Sequence, residues 1–488
     1  MNKLKALAGQ TVIYGLSTIL VRGLNWLISP FHTHVFDSNP AEFGIIASIY
    51  AYVAFINVIF MYGMETAFFR YAKDKNDTNK VFSTAFLSLL CTTAVLVAIL
   101  VALSGKIAVV LNYPNQQEFV IILAFIIGFD TLSNIPFARL RLEGKPLKYV
   151  AIKGLNVLIN IGLNFFLLYP IIQGSFSMFG YTVEPVKGVT YVFIANLVAS
   201  IVTFLIFVPS FFKEKFEFCK QTWQDMMRYG LPLIIVGLAG MVNETIDRIL
   251  LKYLGAGTDT ENMAQIGIYS AAYKLSIFMS LVVQAFRMGA EPFFFKQAGE
   301  QDARKTYADV MLYFVLFSLV VFLGVSLNLD WLIYILSEKF QAGKMIVPIV
   351  LMAYLFLGVS YNLSVWYKLT DKTHLASYIT VFGAIIAIVL NVIFIPKYGY
   401  IACAWATLIT YFCIAVISWL VGRKYYPIPY KLGKIGAYLL LGLALYGLSI
   451  FVSFESFALT IIAKNSLILI FIAIAYHIDG RKLLNSKE

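Results

Sequence analysis

Ten charged side chains lie inside long apolar runs of this 488-residue chain, and their types and spacing bound the chemistry it can do. The bases are Arg22, Lys153, Arg248, Lys274 and Arg287; the acids are Glu65, Asp130, Glu244, Asp247 and Glu291. A charge at the centre of a bilayer costs several kcal/mol, so each must face protein or a water-filled cavity. In one run Lys153, Asn156, Asn160 and Asn164 recur at helical spacings of three and four and form the longest polar stripe in the chain. Arg22 and Asn25 share a helix face with Thr18 and Ser29, and Asp130 shares one with Asn134 and Arg141. Glu244 and Arg248, like Arg287 and Glu291, stand four apart and can neutralise each other, whereas Arg22 and Lys153 have no acid within a turn on their own helix. This is chemistry for holding anions and polar groups in oil. The carboxylates of Asp130, Glu65 and Glu291 can also carry a proton or hold sodium.

The elements that position these residues follow from composition. The chain is 60% hydrophobic and only 13% charged, whereas soluble domains carry roughly 25% charged residues. Lipid is therefore the solvent for most of it. The net charge of +12 is scattered between apolar segments and does not form the clustered face that nucleic acid requires. Fourteen segments reach the roughly 20 apolar residues that a crossing helix needs: residues 11–36, 42–64, 82–103, 118–138, 147–169, 188–212, 229–254, 266–291, 308–328, 346–369, 375–395, 400–422, 433–454 and 456–478. With both termini inside, 26 of the 38 basic residues fall at inner loops and 7 at outer loops and their margins, the remaining 5 lying deeper within spans. That alternation is the positive-inside pattern and places both termini in the cytoplasm.

Several classes are excluded. Cys91, Cys219, Cys403 and Cys413 have no metal-like spacing, no GxxxxGK[ST] loop is present for ATP, and no cofactor is expected. The start, MNKLKALAGQ, leads into a long apolar run without a small-residue cleavage site, so no cleaved leader is expected. A membrane glycosyltransferase, polymerase or ligase needs a sizeable outer loop, and the longest here, residues 170–187 and 329–345, are short. The protein is not expected to be an enzyme.

The chain also resembles itself. Tyr14-Gly15-Leu16 recurs as Tyr229-Gly230-Leu231, Gly44-Ile45 with Tyr50 as Gly267-Ile268 with Tyr273, and Gly63-Met64-Glu65 as Gly289-Ala290-Glu291. Lys145 and Asn164 map to Lys372 and Asn391. The offset grows from 215 to 227, and its jump from 215 to 223 arises because residues 255–264 form a longer loop in the second copy. Six spans per copy give both halves one orientation, related by an axis along the membrane normal, as in parallel-repeat transporters. The expected fold is an all-α integral membrane protein of about 14 transmembrane helices. It divides into an N-terminal six-helix lobe (1–212), a cytoplasmic linker (213–228), a second six-helix lobe (229–422) and two additional helices (433–478).

YGLPLI (229–234), Asp247-Arg248, IGIYSAAYKL (266–275) and QAFRMGAEPFFF (284–295) resemble the polysaccharide transporter and O-antigen flippase family of the multidrug/oligosaccharidyl-lipid/polysaccharide superfamily. The resemblance implies alternating access in the bacterial inner membrane, moving an undecaprenyl-pyrophosphate-linked oligosaccharide to the periplasmic leaflet with a proton or sodium ion. It implies as partners this lipid-linked oligosaccharide and membrane lipids, with the polysaccharide polymerase machinery as a candidate. Under that reading Arg22, Lys153, Arg248 and Arg287 would meet phosphate, since Arg binds its oxygens with a fork and Lys with a point charge. Asn25, Asn156 and Asn160 would meet sugar hydroxyls, since amides both donate and accept. Asp130, Glu65 and Glu291 would couple the ion. The peptidoglycan lipid-precursor flippases have the same fold and span number, and drug or cation antiporters of the superfamily have twelve spans.

Overall fold

Apolar runs of this length leave the backbone one way to satisfy its own polar groups in oil, which is the helix. The computed structural model describes residues 23–24, 26–72, 78–172, 177–178, 181–182, 187–212 and 215–480, with backbone alone at 172, 177–178, 181–182, 291–292 and 480. Among the described residues twelve helices are long and apolar enough to cross a membrane; a bent pair makes thirteen if counted as one span. Half of the first expected span lies outside the described residues, and its described end is helical. The chain is therefore an all-α membrane protein, with the count of fourteen approximate. Its strands within the described residues are the two-residue pair Ser177–Met178 and Tyr181–Thr182.

Contacts divide the chain into two units, residues 1–253 with 257–267, and residues 254–256 with 268–488. The first holds α1 (residues 26–35), α2 (Pro40–Met61), α3 (Met64–Tyr71), α4 (Thr78–Ala102), α5 (Ser104–Val110), α6 (Gln117–Leu142), α7 (Pro146–Ile172), α8 (Gly188–Phe211) and α9 (Lys220–Leu254). The start of α10 (Asp259–Leu275) also belongs to it. Within this unit α6 packs on α4 and α8, and α7 packs on α8. At 35 residues α9 is about 52 Å long, well beyond the roughly 30 Å of hydrocarbon. Its polar first turns, Lys220 to Arg228, therefore extend past the apolar stretch that the sequence marks at residue 229.

Small residues set the closest helix approaches, as they do in membranes. Between α2 and α3 the chain breaks at Tyr62 and Gly63, with φ of 30° and 72°. A Cβ on Gly63 would stand 2.5 Å from the Gly230 carbonyl oxygen of α9, so both the left-handed turn and the contact require glycine. At the other end of α2, a Cβ on Gly44 would lie 1.8 Å from the Met263 carbonyl and one on Gly267 2.3 Å from the Pro40 carbonyl. Pro40 and Met263, like Gly44 and Gly267, are separated by 223 residues, so this contact is reciprocal under the repeat.

The second unit holds the rest of α10, then α11 (Ile277–Gln297), α12 (Ala303–Ser326), α13 (Leu329–Leu332), α14 (Val347–Leu363), α15 (Val365–Leu369), α16 (Thr373–Tyr398), α17 (Tyr400–Tyr425), α18 (Leu432–Phe451) and α19 (Phe457–Ala475). The bent pair is α10 and α11, which meet at 52° across Ser276. Both α14 and α16 pack on α17, repeating the way α6 and α7 pack on α8 in the first unit. The last two helices, α18 and α19, pack on α12.

Candidate functional site

The polar stripe of α7 faces into the first unit and finds hydrogen-bond partners on α1 and α8, and through Asn196 reaches α2. Asn156 donates to Thr203 Oγ1 of α8 at 2.8 Å. Asn160 donates to Asn196 Oδ1 of α8 at 3.4 Å, and Asn196 donates in turn to the Tyr50 hydroxyl of α2 at 2.7 Å. Asn164 is fully buried and donates to both the backbone carbonyl and Oδ1 of Asn160, at 2.8 and 2.7 Å. Its own Oδ1 accepts from Nε2 of His32, on α1, at 2.7 Å. A buried amide without partners costs about 1–3 kcal/mol. The chain from His32 through Asn164, Asn160 and Asn196 to Tyr50 avoids that cost by satisfying each member with the next.

Four charges continue the line toward the opposite end of the unit. Asp130, halfway along α6, lies within electrostatic reach of Tyr50 and Lys153. Lys153 in turn feels Arg141 and Glu65, and its ammonium sits 4.3 Å from the centre of the Phe137 ring. Arg141, in the last turn of α6, forms an ion pair with Glu65 in the first turn of α3. Its guanidinium also lies 4.9 Å from the Phe69 ring centre. The group holds two bases and two acids and carries no formal net charge. Asp130, at mid-helix, has the Lys153 ammonium within electrostatic reach, the kind of partner that makes a carboxylate tolerable among apolar helices.

The structure thus brings together Lys153, Asn156, Asn160, Asp130 and Glu65 of the expected set. Arg248 stands apart on α9, held at 3.1 Å by Asp247 and by the Glu244 backbone carbonyl. Arg287 belongs to the second unit, where it lies 4.8 Å from the Tyr361 ring centre beside Lys368. Arg22, Asn25 and the side chain of Glu291 lie outside the described residues. Among the described residues no three His, Cys, Asp or Glu gather as a metal would require.

Sequence reasoning missed Tyr50, Asn196 and His32 as members of the site. Asn196 recurs with Ser200 and Thr203 at helical spacings of four and three on α8, a weaker signal than the larger polar side chains of α7. His32 reads as an interfacial residue at the outer end of its span. Arg141 shares a face with Asp130 in the sequence, but counting it among loop charges hid its pairing with Glu65. Tyr50 carried a signal in its recurrence as Tyr273.

A family model described as "Polysaccharide biosynthesis protein" matches residues 7–297. No curated protein matches the chain. Among solved structures, the lipid II flippase MurJ in an inward closed conformation is 16% identical, with a TM-score of 0.72 over 97% of this chain and 100% of that one. An inward-facing multidrug resistance MATE transporter is 18% identical, with a TM-score of 0.55 over 88% and 95%. A MATE protein in complex with MaL6 is 14% identical, with a TM-score of 0.56 over 88% and 96%. The shared fold is that of the multidrug/oligosaccharidyl-lipid/polysaccharide superfamily.

Proposed function

We propose, from the premise that this chain belongs to the polysaccharide biosynthesis protein family, that it is a flippase for a polyprenyl-pyrophosphate-linked oligosaccharide. The cargo is an O-antigen, capsule or exopolysaccharide unit, moved from the cytoplasmic to the periplasmic leaflet of a bacterial inner membrane. Rocking of two six-helix lobes, residues 1–212 and 229–422, provides alternating access. The observation that carries this reading is the charge-balanced cluster of Asp130, Lys153, Glu65 and Arg141, joined to a satisfied amide chain among apolar helices.

That balance suggests how ion and cargo are linked. While Asp130 is ionised, its charge holds the Lys153 ammonium. A proton on Asp130 removes the counter-charge and leaves Lys153 able to bind a phosphate oxygen. Proton and anion then bind together. Glu65 keeps Arg141 in place beside them, and the amides of Asn156 and Asn160 fix the register of α7 against α8. Arg22, Asn25, Arg248 and Arg287 remain candidate cargo contacts, and Glu291 a candidate ion group.

A second reading is a peptidoglycan lipid-precursor flippase, favoured by the TM-score of 0.72 against MurJ compared with 0.55 and 0.56 against the MATE proteins. Depleting the chain in its host and assigning extracted polyprenyl-linked sugars to a leaflet separates the two. Accumulation of a surface-polysaccharide unit in the cytoplasmic leaflet with normal cell-wall synthesis is expected. Accumulation of the peptidoglycan precursor instead would transfer the assignment to the second reading, and accumulation of neither would end both.

A further inference from the structure

A cavity of ≈ 340 Å³ opens in the first unit where the start of α2, the α5–α6 loop and the α9–α10 turn meet. Its volume falls within the roughly 300–1,000 Å³ of small-ligand pockets. The loop-charge pattern places this end outside the membrane. The amides of Asn39, Asn112, Asn115 and Gln116, the phenol of Tyr113 and the hydroxyl of Thr260 line the cavity.

The wall is built rather than incidental. Lys252 is only 3% exposed, and its ammonium donates to the Leu111 carbonyl and lies 3.8 Å from the centre of the Tyr113 ring. Asn262 caps the same turn by donating to the Lys252 carbonyl at 3.3 Å. Tyr113 donates to Met263 Sδ at 3.6 Å, so one residue ties the loop to both α9 and α10. Asn112 takes a left-handed φ of 57°, which turns the chain at the start of the amide-bearing loop.

Two features identify the ligand chemistry. The side-chain amides of Asn112, Asn115 and Gln116 make no hydrogen bond with the described residues, so donors and acceptors are on offer together. The one base of the lining is buried against a carbonyl, a ring and the charge of Asp259, so no exposed cation awaits a phosphate or carboxylate. An anionic lipid headgroup would find no counter-charge there. The carboxylate of Asp259 also lines the cavity, within electrostatic reach of Lys252, and a ligand rich in hydroxyls and without charge matches the amides, the phenol and the hydroxyl.

We propose that this cavity is a glycan-binding subsite, which holds uncharged sugar residues of the cargo at the outer end of the first unit. The proposal rests on the flippase reading for its cargo, and its test is independent of that reading. Full-length protein in detergent micelles is titrated calorimetrically with the repeat-unit oligosaccharide released by mild acid from the host strain's own surface polysaccharide. Wild type should bind, and Asn115→Ala/Gln116→Ala should bind at least tenfold more weakly at an unchanged melting temperature. Thr260→Val, on the opposite wall, should weaken binding as well, and glycerol 3-phosphate should not compete. Absence of binding by wild type, a change of less than threefold in the double variant, or competition by glycerol 3-phosphate would overturn the subsite. Lipid-linked glycan that accumulates on depletion without oligosaccharide binding would remove the subsite and leave the flippase. Binding lost in the double variant without such accumulation would do the reverse.

Discussion

The helices α7 and α16 begin 227 residues apart, run for 27 and 26 residues, and pack on α8 and α17 within their own units. Four positions of α7 carry Lys153, Asn156, Asn160 and Asn164; the same offset gives Thr380, Gly383, Ala387 and Asn391 in α16. In the first unit the amides reach α1 and α8, and through Asn196 reach α2. In the second, Gly383 and Ala387 are buried packing residues, and Asn391 donates to the Ala387 carbonyl of its own helix at 2.7 Å. One helical frame has therefore been kept for packing in both units, while a polar interior is built in the first. The difference teaches that the repeat preserves the contacts that hold helices together and leaves the chemistry free to specialise.

The largest effect should come from the charge that α16 lacks, Lys153, and from its partner on α6, Asp130. Lys153→Met or Asp130→Asn should lower glycan export by about a hundredfold at normal protein level, because each leaves its partner charge without its counter-ion. Thr380→Val should change export by less than about twofold. Export assayed by surface polysaccharide per unit of membrane protein checks both, and equal losses at Lys153 and Thr380 would break the comparison.

The buried asparagines sharpen it further. Asn164→Leu deprives His32 and Asn160 of a partner and should cost about 2 kcal/mol or more. Asn391→Leu removes an amide whose Oδ1 is buried without a partner among the described residues, so it should be neutral or slightly stabilising. Thermal unfolding in micelles would measure the pair, and a larger loss for Asn391→Leu would reverse the assignment of roles.

How much of this was legible beforehand depended on periodicity. Apolar runs and loop charges gave the helices, because the oil thickness and the positive-inside pattern act on every span alike. The α7 stripe was legible because four polar residues recur at helical spacing. Its partners were less so, because Tyr50, Asn196 and His32 lie on three different helices and only packing brings them together. The Glu65–Arg141 pair escaped because Glu65 falls just past the expected end of the second span, which continues through α3 to Tyr71 beside α6.

The smallest effect is expected where the second unit uses charge only as a staple. Asp330, between spans, accepts from Lys344 at 2.7 Å and from Lys464 of α19 at 2.5 Å. Partial burial alone would push its carboxyl up, but the hydrogen bonds and charges of the two lysines outweigh burial and hold it below the usual range. A depressed native value means stability present above the ordinary carboxylate pKa of roughly 3.9 and lost as pH falls through the native value. Asp330→Asn should therefore lower stability at pH 7 by about 1 kcal/mol or less. The deficit should shrink as pH falls below about 4, with export unchanged. A deficit that grows in acid would contradict the ion-pair account.

The central claim, that the polar interior of the first unit carries translocation, is tested most directly by reconstitution. Wild type, Lys153→Met and Thr380→Val are placed in proteoliposomes with a polyprenyl-pyrophosphate oligosaccharide, and its appearance in the opposite leaflet is followed under an imposed proton gradient. The account predicts gradient-dependent transfer by wild type and Thr380→Val and loss of transfer in Lys153→Met. Transfer by Lys153→Met at the wild-type rate would contradict it.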